Sequence, residues 1–245
     1  MERQEGPYAG KPIRLVSFDV DGTIAIGHGW RAIASFRGEE EAFDRAQDLF
    51  VGGEATEDEH LRRLLNFARG LPLSDLEGIL DRTHHLPHLV PTIAALHARG
   101  TKVALLTHNP LYVCRWYARH YGFDLFAGVQ QSVRDGTIQG VRNVHVDKRE
   151  GLRLLLQATG SSPSEVVHLG DGLADARVFP YVASGIALNS RIPEVRARAD
   201  LTVDTRDARK LLPLLRYGVR AHPRPLPSGD PPPRVGSFRC ERLGS

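Results

Sequence analysis

The 245-residue chain has few cysteines and no long apolar run. Cys114 and Cys240 are too few for a disulfide framework, so a reducing compartment, the cytoplasm, is the simplest expectation. No apolar run approaches the length of a transmembrane helix, and the first twelve residues contain no apolar core of a signal peptide. The composition, 41% hydrophobic and 25% charged, is instead typical of an ordinary soluble globular protein.

The chain also lacks a concentrated basic segment. Its 32 lysines and arginines nearly balance 29 acidic residues, for a formal charge of +3, and they are spread along the sequence. Such a distribution does not indicate a stripe that binds nucleic acid. No Walker A sequence is present, so triphosphate hydrolysis through a P-loop is not supported. We therefore expect neither a nucleic-acid nor a membrane partner.

The most informative short segment is SFDVDGT, residues 17 to 23. It follows branched apolar residues that predict a buried strand over about 13–19. Because side chains alternate along a strand, Asp19 and Asp21 project to the same side. Two neighbouring carboxylates raise each other's cost of ionisation, and folding gains nothing from that. The presence of Asp19 and Asp21 side by side therefore predicts a functional site, in which a positively charged partner offsets the cost of ionising both.

The pattern after this strand divides the chain into three parts. Helical spacing of apolar residues over 26–86 predicts an inserted, all-helical cap. Alternating helices and strands from Leu89 onward predict a Rossmann-like parallel sheet, so we assign 1–25 and 87–219 to one α/β core domain. Residues 220–245 are rich in Pro, Gly and Ser and predict a disordered tail without a catalytic role. Deleting this tail is expected to leave activity and melting temperature nearly unchanged.

Three further polar groups lie where open parallel sheets have their active sites, at the carboxyl ends of strands. Thr107 follows VALL, Asp171 follows VVHLG with Asp175 four residues later, and Lys148 begins a helix. Together with Asp19 and Asp21 these make four carboxylates, one hydroxyl and one ammonium. Clustered carboxylates suit a hard divalent cation, and Mg²⁺ commonly takes one or two of them together with water and substrate phosphate.

This set of residues predicts phosphoryl transfer from a small phosphorylated metabolite. Asp19 could attack phosphorus as a carboxylate nucleophile and form an acyl phosphate. Asp21 is placed to protonate the leaving oxygen and later to deprotonate water. Lys148 and Mg²⁺ would offset the charge of the phosphate, and Thr107 could donate a hydrogen bond to one of its oxygens.

FDVDGT, LLTHN, Lys148 and GDGLAD resemble, in order, the four motifs of the haloacid dehalogenase superfamily of phosphohydrolases. The helical insertion resembles the C1 cap of its phosphoserine-phosphatase-like branch, and the resemblance covers about 12–217. It implies Asp19 as nucleophile and Asp21 as acid/base. It also implies a Mg²⁺ site formed by Asp19, the main-chain carbonyl of Asp21, and Asp171, with Asp175 as ligand or support. Phosphate would be bound by Thr107, Lys148 and the backbone of His108.

The sequence departs from the phosphoserine-specific pattern in the cap. His28 stands where serine-specific members carry a glutamate for the substrate amine, and we predict that His28 contacts the substrate. Leu64 stands where they carry an arginine for the carboxylate, although Arg62 and Arg63 are adjacent. Ala174 also replaces the asparagine of the fourth motif. These differences predict that phosphoserine is a poor substrate.

Two other functions fit parts of the pattern. A phosphomutase of the same superfamily would need a second phosphate site in the cap. A receiver protein phosphorylated on aspartate also combines acidic residues, Ser/Thr and Lys, but it lacks an acid/base two residues after the aspartate and has no large cap. The histidine cluster at 84–88 has no cysteine or second histidine pair at ligand spacing, so a polar hinge is favoured over a zinc site.

Overall fold

A computed structural model describes residues 11–26, 29–142, 144, 146–220, 222–227 and 238–243. None of the helices in these ranges is both long and apolar enough to cross a bilayer. The strands and helices are, in chain order, β1 (Leu15–Phe18), α1 (Gly29–Phe36), α2 (Glu40–Val51), α3 (Glu57–Phe67), α4 (Leu73–Asp81), α5 (Leu89–His97), β2 (Lys102–Pro110), α6 (Leu111–Tyr121), β3 (Leu125–Val129), β4 (Val133–Arg134), β5 (Thr137–Ile138), α7 (Lys148–Thr159), β6 (Val166–Gly170), α8 (Leu173–Val178), β7 (Ser184–Leu188), α9 (Pro193–Arg198), β8 (Leu201–Val203) and β9 (Phe238–Arg242).

Seven strands form one sheet in the order β8-β7-β6-β1-β2-β3-β9. All pairs are parallel except β3 with β9, and the four strands β1, β3, β6 and β7 are buried along their whole length. Continuous apolar strands of this kind are typical of a parallel sheet covered by helices on both faces. The predicted α/β class with a mostly parallel sheet is confirmed.

Helices α1 to α4 lie between β1 and α5 in the sequence and pack mainly on one another. Their apolar faces bury residues such as Trp30, Phe43 and Leu65. Thr56 and Glu59 form a capping box at the start of α3, in which the side chain of each residue accepts a hydrogen bond from the backbone N–H of the other. The all-helical insertion predicted after the first strand is therefore present, while its assignment as a separate domain stays a prediction.

The prediction of disorder is wrong for the described end of the segment 220–245. Phe238–Arg242 is strand β9, which pairs antiparallel with β3 along five residues. The prediction rested on the average composition of the whole segment, which is not that of its short stretch FRCER. This stretch pairs with the otherwise unpaired edge of β3 through main-chain hydrogen bonds. Residues 228–237, 244 and 245 lie outside the described residues.

Phe238 anchors β9 to the core. Its side chain is 1% exposed and lies against α7, where a Cβ on Gly151 would come within 3.0 Å of the Phe238 ring and 2.5 Å of Leu106. Glycine at position 151 thus permits this close approach of α7 to β2 and β9. The Phe238 ring centroid is also 5.6 Å from that of His108, next to the predicted phosphate-binding residues.

Candidate active site

The register of the central strands brings the predicted motifs together. Phe18 is level with Leu105 of β2 and with Leu169 of β6. Asp19 directly follows β1, Thr107 lies two residues after Leu105 within β2, and Asp171 directly follows β6. Three motifs that lie up to about 150 residues apart in the sequence meet on one side of the sheet because the parallel strands run toward that side in register.

Lys148, at the first position of α7, joins two of the aspartates. Its ammonium lies 2.8 Å from Oδ1 of Asp19 and 2.6 Å from Oδ1 of Asp175. All three side chains are buried, with Lys148 2% exposed. Burial alone would lower the pKa of Lys148, but the two carboxylates raise it well above its ordinary value. Lys148 is therefore a fixed positive charge and not a proton carrier.

Asp175 is held by donors on both of its oxygens. Oδ1 accepts from Lys148 and lies 2.9 Å from Nε2 of His168, and Oδ2 accepts from the backbone N–H of Gly172. The other ring nitrogen of His168 is 3.0 Å from Oγ of Ser17. Burial would raise the pKa of Asp175, but Lys148 and His168 outweigh it and hold the carboxyl ionised. Asp175 thus orients Lys148, and each of its two carboxylate oxygens accepts a hydrogen bond from the protein.

Asp21 is oriented by two donors from different parts of the chain. Its Oδ1 accepts from the backbone N–H of Gly29 at 2.7 Å, and its Oδ2 accepts from the side-chain amide of Asn109 at 2.8 Å. Asn109 also donates to the hydroxyl oxygen of Thr107 at 3.1 Å. Because Thr107 accepts in these contacts, its own O–H is available as a donor. Asn109 therefore contacts both Asp21, the predicted acid/base, and Thr107, a predicted phosphate-binding residue.

Asp171 lies on the loop after β6. Its Oδ1 accepts from the hydroxyl of Thr23 at 3.1 Å, and its main-chain carbonyl accepts from Ser190 at 2.6 Å. Gly22 has φ +79°, and a Cβ there would come within 2.1 Å of the Asp171 carboxylate. Only glycine fits this turn, which lets the backbone after Asp21 approach Asp171 closely.

The carboxylates have the geometry and electrostatics of a cation site. One oxygen from each of Asp19, Asp171 and Asp175 lies within 4.8 Å of the others. Burial raises the pKa of Asp19 to about 6 although Lys148 opposes this, and burial together with Asp19 raises that of Asp171 well above its ordinary value. The one ammonium of Lys148 does not offset the negative charges of three carboxylates. The three residues are therefore suited to bind a hard divalent cation, which prefers oxygen ligands.

No second group of three potential metal ligands occurs in the part of the chain that the structure describes. His85, from the predicted polar hinge, lies instead among aromatic side chains, with Nε2 3.0 Å from the hydroxyl of Tyr117. Burial, followed by the neighbouring histidines, lowers its pKa to about 4. His85 is held by this aromatic packing and belongs to no group of potential metal ligands among the described residues, so the structure gives no support to a zinc site.

The cap meets the core beside His108. Glu57, at the start of α3, pairs with Arg177 of α8, and its Oε1 is 4.0 Å from Nδ1 of His108. Burial lowers the pKa of His108 to about 3, and Lys148 adds to the effect, so the ring is neutral. His28, the other predicted substrate contact, lies outside the described residues.

The structure thus brings together Asp19, Asp21, Thr107, His108, Lys148, Asp171 and Asp175, and their roles stay predictions. It also adds residues that the sequence analysis did not assign. Asn109 could have been found, since it follows Thr107 by two residues and shares its side of the strand. The pairs Glu57–Arg177 and Ser17–His168 join distant positions, and no local pattern points to them.

Sequence comparison finds relatives that align over most of this chain. Phosphoserine phosphatase from Halobacterium salinarum is 27% identical over 199 residues, which span 79% of this chain and 94% of that protein. Phosphoserine phosphatase from Methanocaldococcus jannaschii is 25% identical over 82% of this chain and 97% of its own length.

Solved structures show the same fold. A HAD family hydrolase from Salmonella enterica serovar Typhi superposes with a TM-score of 0.74 at 20% identity, over 83% of this chain and 72% of that one. A substrate-bound phosphoserine phosphatase complex gives 0.73 at 23% identity, over 84% and 99%. The sequence model of the haloacid dehalogenase-like hydrolase family matches residues 13–180, more than half of the chain. The chain therefore belongs to the haloacid dehalogenase-like hydrolase family, and it is an enzyme, as the sequence predicts.

Proposed function

We propose that the protein is a Mg²⁺-dependent phosphatase that hydrolyses a small phosphomonoester through a phosphoaspartyl intermediate on Asp19. The observation that carries the proposal is the buried Lys148 ammonium between Asp19 and Asp175, with Asp171 completing the carboxylate group. Membership of the hydrolase family and the phosphatase names of the relatives support it. A carboxylate that directly follows a central strand and lies beside a buried ammonium is suited to attack an electrophilic phosphorus.

Each residue has a defined part in the proposed reaction. Asp19 attacks phosphorus while Asp21 protonates the leaving oxygen, so the P–O bond to the alcohol breaks as the acyl phosphate forms. Asp21, now ionised, takes a proton from water, which attacks the same phosphorus and returns Asp19 as a carboxylate. Lys148 and the Thr107 hydroxyl stabilise the charge on the phosphoryl oxygens.

Mg²⁺ would be held by Asp19, the main-chain carbonyl of Asp21, and Asp171, and it would offset the charge of the phosphate. Asp175 has both oxygens occupied by protein donors and is proposed as the support of Lys148. Gly29 and Asn109 hold Asp21 in the position that proton transfer requires, so Asn109 is a positioning residue in this account.

The proposal is tested with purified protein and an aryl phosphate. Hydrolysis should occur with Mg²⁺, fall to background when EDTA removes the metal, and return when Mg²⁺ is restored. Activity that is unaffected by EDTA would contradict the proposed metal dependence. A folded protein that hydrolyses neither the aryl phosphate nor any member of a panel of phosphorylated metabolites would contradict the phosphatase itself.

We expect phosphoserine to have a lower kcat/KM than at least one other phosphomonoester in that panel. Leu64 is buried in the cap and offers no charge for a carboxylate, and an unpaired charge in a closed site is costly. Nη1 of Arg63 is buried without a hydrogen-bond partner among the described residues, so Arg63 is the alternative partner to test. The contrary result is that phosphoserine ranks first, with Arg63→Ala removing that preference and Arg62→Ala leaving it. Arg63 would then bind the substrate carboxylate, as the cap arginine of serine-specific members does.

A cap substitution, Glu57→Gln, is expected to reduce kcat/KM for the aryl phosphate by about tenfold, the effect of losing one charged hydrogen bond. The change removes the ion pair to Arg177 that joins α3 to the core beside His108, and closing of the cap depends on such contacts. Glu41→Gln, on the exposed side chain of α2, is the matched control and should behave as wild type. Equal activity of both variants would show that the Glu57 contact does not matter for turnover.

A further inference from the structure

A cavity lined mainly by arginines lies beside α8. It has a volume of about 660 Å³ and shares no lining residue with the carboxylates of the candidate active site. Its lining includes no acidic residue, and it contains five arginines and one histidine, namely Arg149, Arg177, Arg198, Arg220, Arg224 and His222. Like charges gathered around one space repel one another, so this lining favours an anionic occupant.

Carboxylates outside the lining balance part of this charge, but not all of it. Four of the arginines form ion pairs with acidic residues that do not line it, namely Arg149 with Asp147, Arg177 with Glu57, Arg198 with Glu194 and Arg220 with Asp200. Arg224 has no carboxylate partner among the described residues, and its side chain is exposed at the cavity. Positive charge therefore remains available to a ligand.

The segment that supplies Arg220 and Arg224 is held in place by the core. The backbone N–H of Arg220 donates to the carbonyl of Ala183, and its guanidinium donates to the carbonyl of Phe179. The backbone N–H of Arg224 donates to the carbonyl of Pro180. The backbone of Arg220 and that of Arg224 are thus both bonded to the core. The planar guanidinium of an arginine presents a fork of N–H donors that suits the oxygens of phosphate groups.

We infer that this cavity binds a small anion carrying two or more phosphate groups. A volume of about 660 Å³ is that of a site for a nucleotide-sized molecule, and several guanidinium groups can each contact a different phosphate oxygen. Pro180 and Tyr181 give the lining an apolar part against which an organic portion can pack. Inorganic polyphosphate and a nucleoside triphosphate share the recognised chemistry and differ in that organic portion.

The test is calorimetric titration of the full-length protein with tripolyphosphate and, separately, with ATP, in buffer with EDTA. Without a divalent cation the carboxylates of the active site repel anions, so binding reports on the arginine cavity. Saturable binding of tripolyphosphate that is at least about tenfold tighter than binding of orthophosphate is expected, because more than one phosphate is contacted. Tighter binding of ATP than of tripolyphosphate would identify a nucleotide as the preferred source.

The variant Arg198→Ala/Arg224→Ala should bind tripolyphosphate at least about tenfold more weakly, since both side chains are exposed at the cavity and their loss leaves the core intact. Arg45→Ala removes another exposed arginine, on α2, and should bind as wild type. Hydrolysis of the aryl phosphate by the double variant should be unchanged, which separates this site from the active site.

Three results would overturn the inference. One is the absence of saturable binding by wild-type protein at millimolar tripolyphosphate. Another is undiminished binding by the double variant, or an equal loss in Arg45→Ala, because either places the anion elsewhere. The third is an affinity for single-stranded RNA that greatly exceeds that for tripolyphosphate and ATP and depends on the same two arginines, which would assign the surface to nucleic acid.

Discussion

Replacement of Asp19 by asparagine should reduce Mg²⁺-dependent hydrolysis of the aryl phosphate by about 10⁴-fold or more, the scale seen when a catalytic nucleophile is removed. The amide cannot form an acyl phosphate, and it is a poorer ligand for a hard cation than a carboxylate. Initial rates at saturating substrate and Mg²⁺ measure the effect. Asp81→Asn, at an exposed carboxylate of the cap, is the matched control and should retain wild-type activity.

The same substitution should leave the protein folded. Burial and the neighbouring carboxylates raise the pKa of Asp19, so its charge is not favoured by the folded state, and Lys148 keeps Asp175 as a partner in the variant. We therefore expect a melting temperature within a few degrees of wild type. Loss of activity together with unfolding would make the kinetic result uninformative about chemistry, and retained activity in folded Asp19→Asn would contradict the proposed mechanism.

Phe238→Ala should lower the free energy of unfolding by about 3–5 kcal/mol, the usual cost of emptying a buried phenylalanine site. Phe238 is 1% exposed and packs against α7 at Gly151, so its removal leaves a cavity beside β2. Denaturant unfolding measures the change. Arg239→Ala, the neighbouring and solvent-facing position of β9, should differ from wild type by less than about 0.5 kcal/mol.

Truncation before residue 238 should destabilise the protein at least as much as Phe238→Ala, because it also removes the main-chain pairing of β9 with β3. This reverses the expectation that follows from the composition of 220–245. If both the truncated protein and Phe238→Ala unfold like wild type, β9 contributes nothing to stability in solution.

The local sequence was sufficient to predict the central part of the molecule. Apolar runs mark the buried strands, and the polar residues directly after three of these runs, at Asp19, Thr107 and Asp171, mark the edge where the candidate site forms. These predictions succeed because parallel strands of one sheet end at a common edge, which needs no knowledge of distant contacts.

Other features depend on contacts that local patterns do not contain. His168 lies in an apolar strand, and the sequence does not reveal that its partners are Ser17 and Asp175. The strand at Phe238 is short and follows a segment rich in proline, so average composition hides it. Its formation depends on the open edge of β3, which exists only after the sheet has assembled.

The most direct test of the central claim is to identify the residue that carries the phosphoryl group. The protein is quenched in acid during turnover of the aryl phosphate with Mg²⁺, and borohydride then reduces any acyl phosphate so that the aspartate becomes homoserine. Mass spectrometry of the peptide that contains residues 15–31 should find homoserine at position 19 and an unmodified Asp21, and Asp19→Asn protein should show no modification. Modification of Asp21 or Asp171 in place of Asp19, or no modified residue at all while substrate is being hydrolysed, would contradict the assignment of Asp19 as the nucleophile.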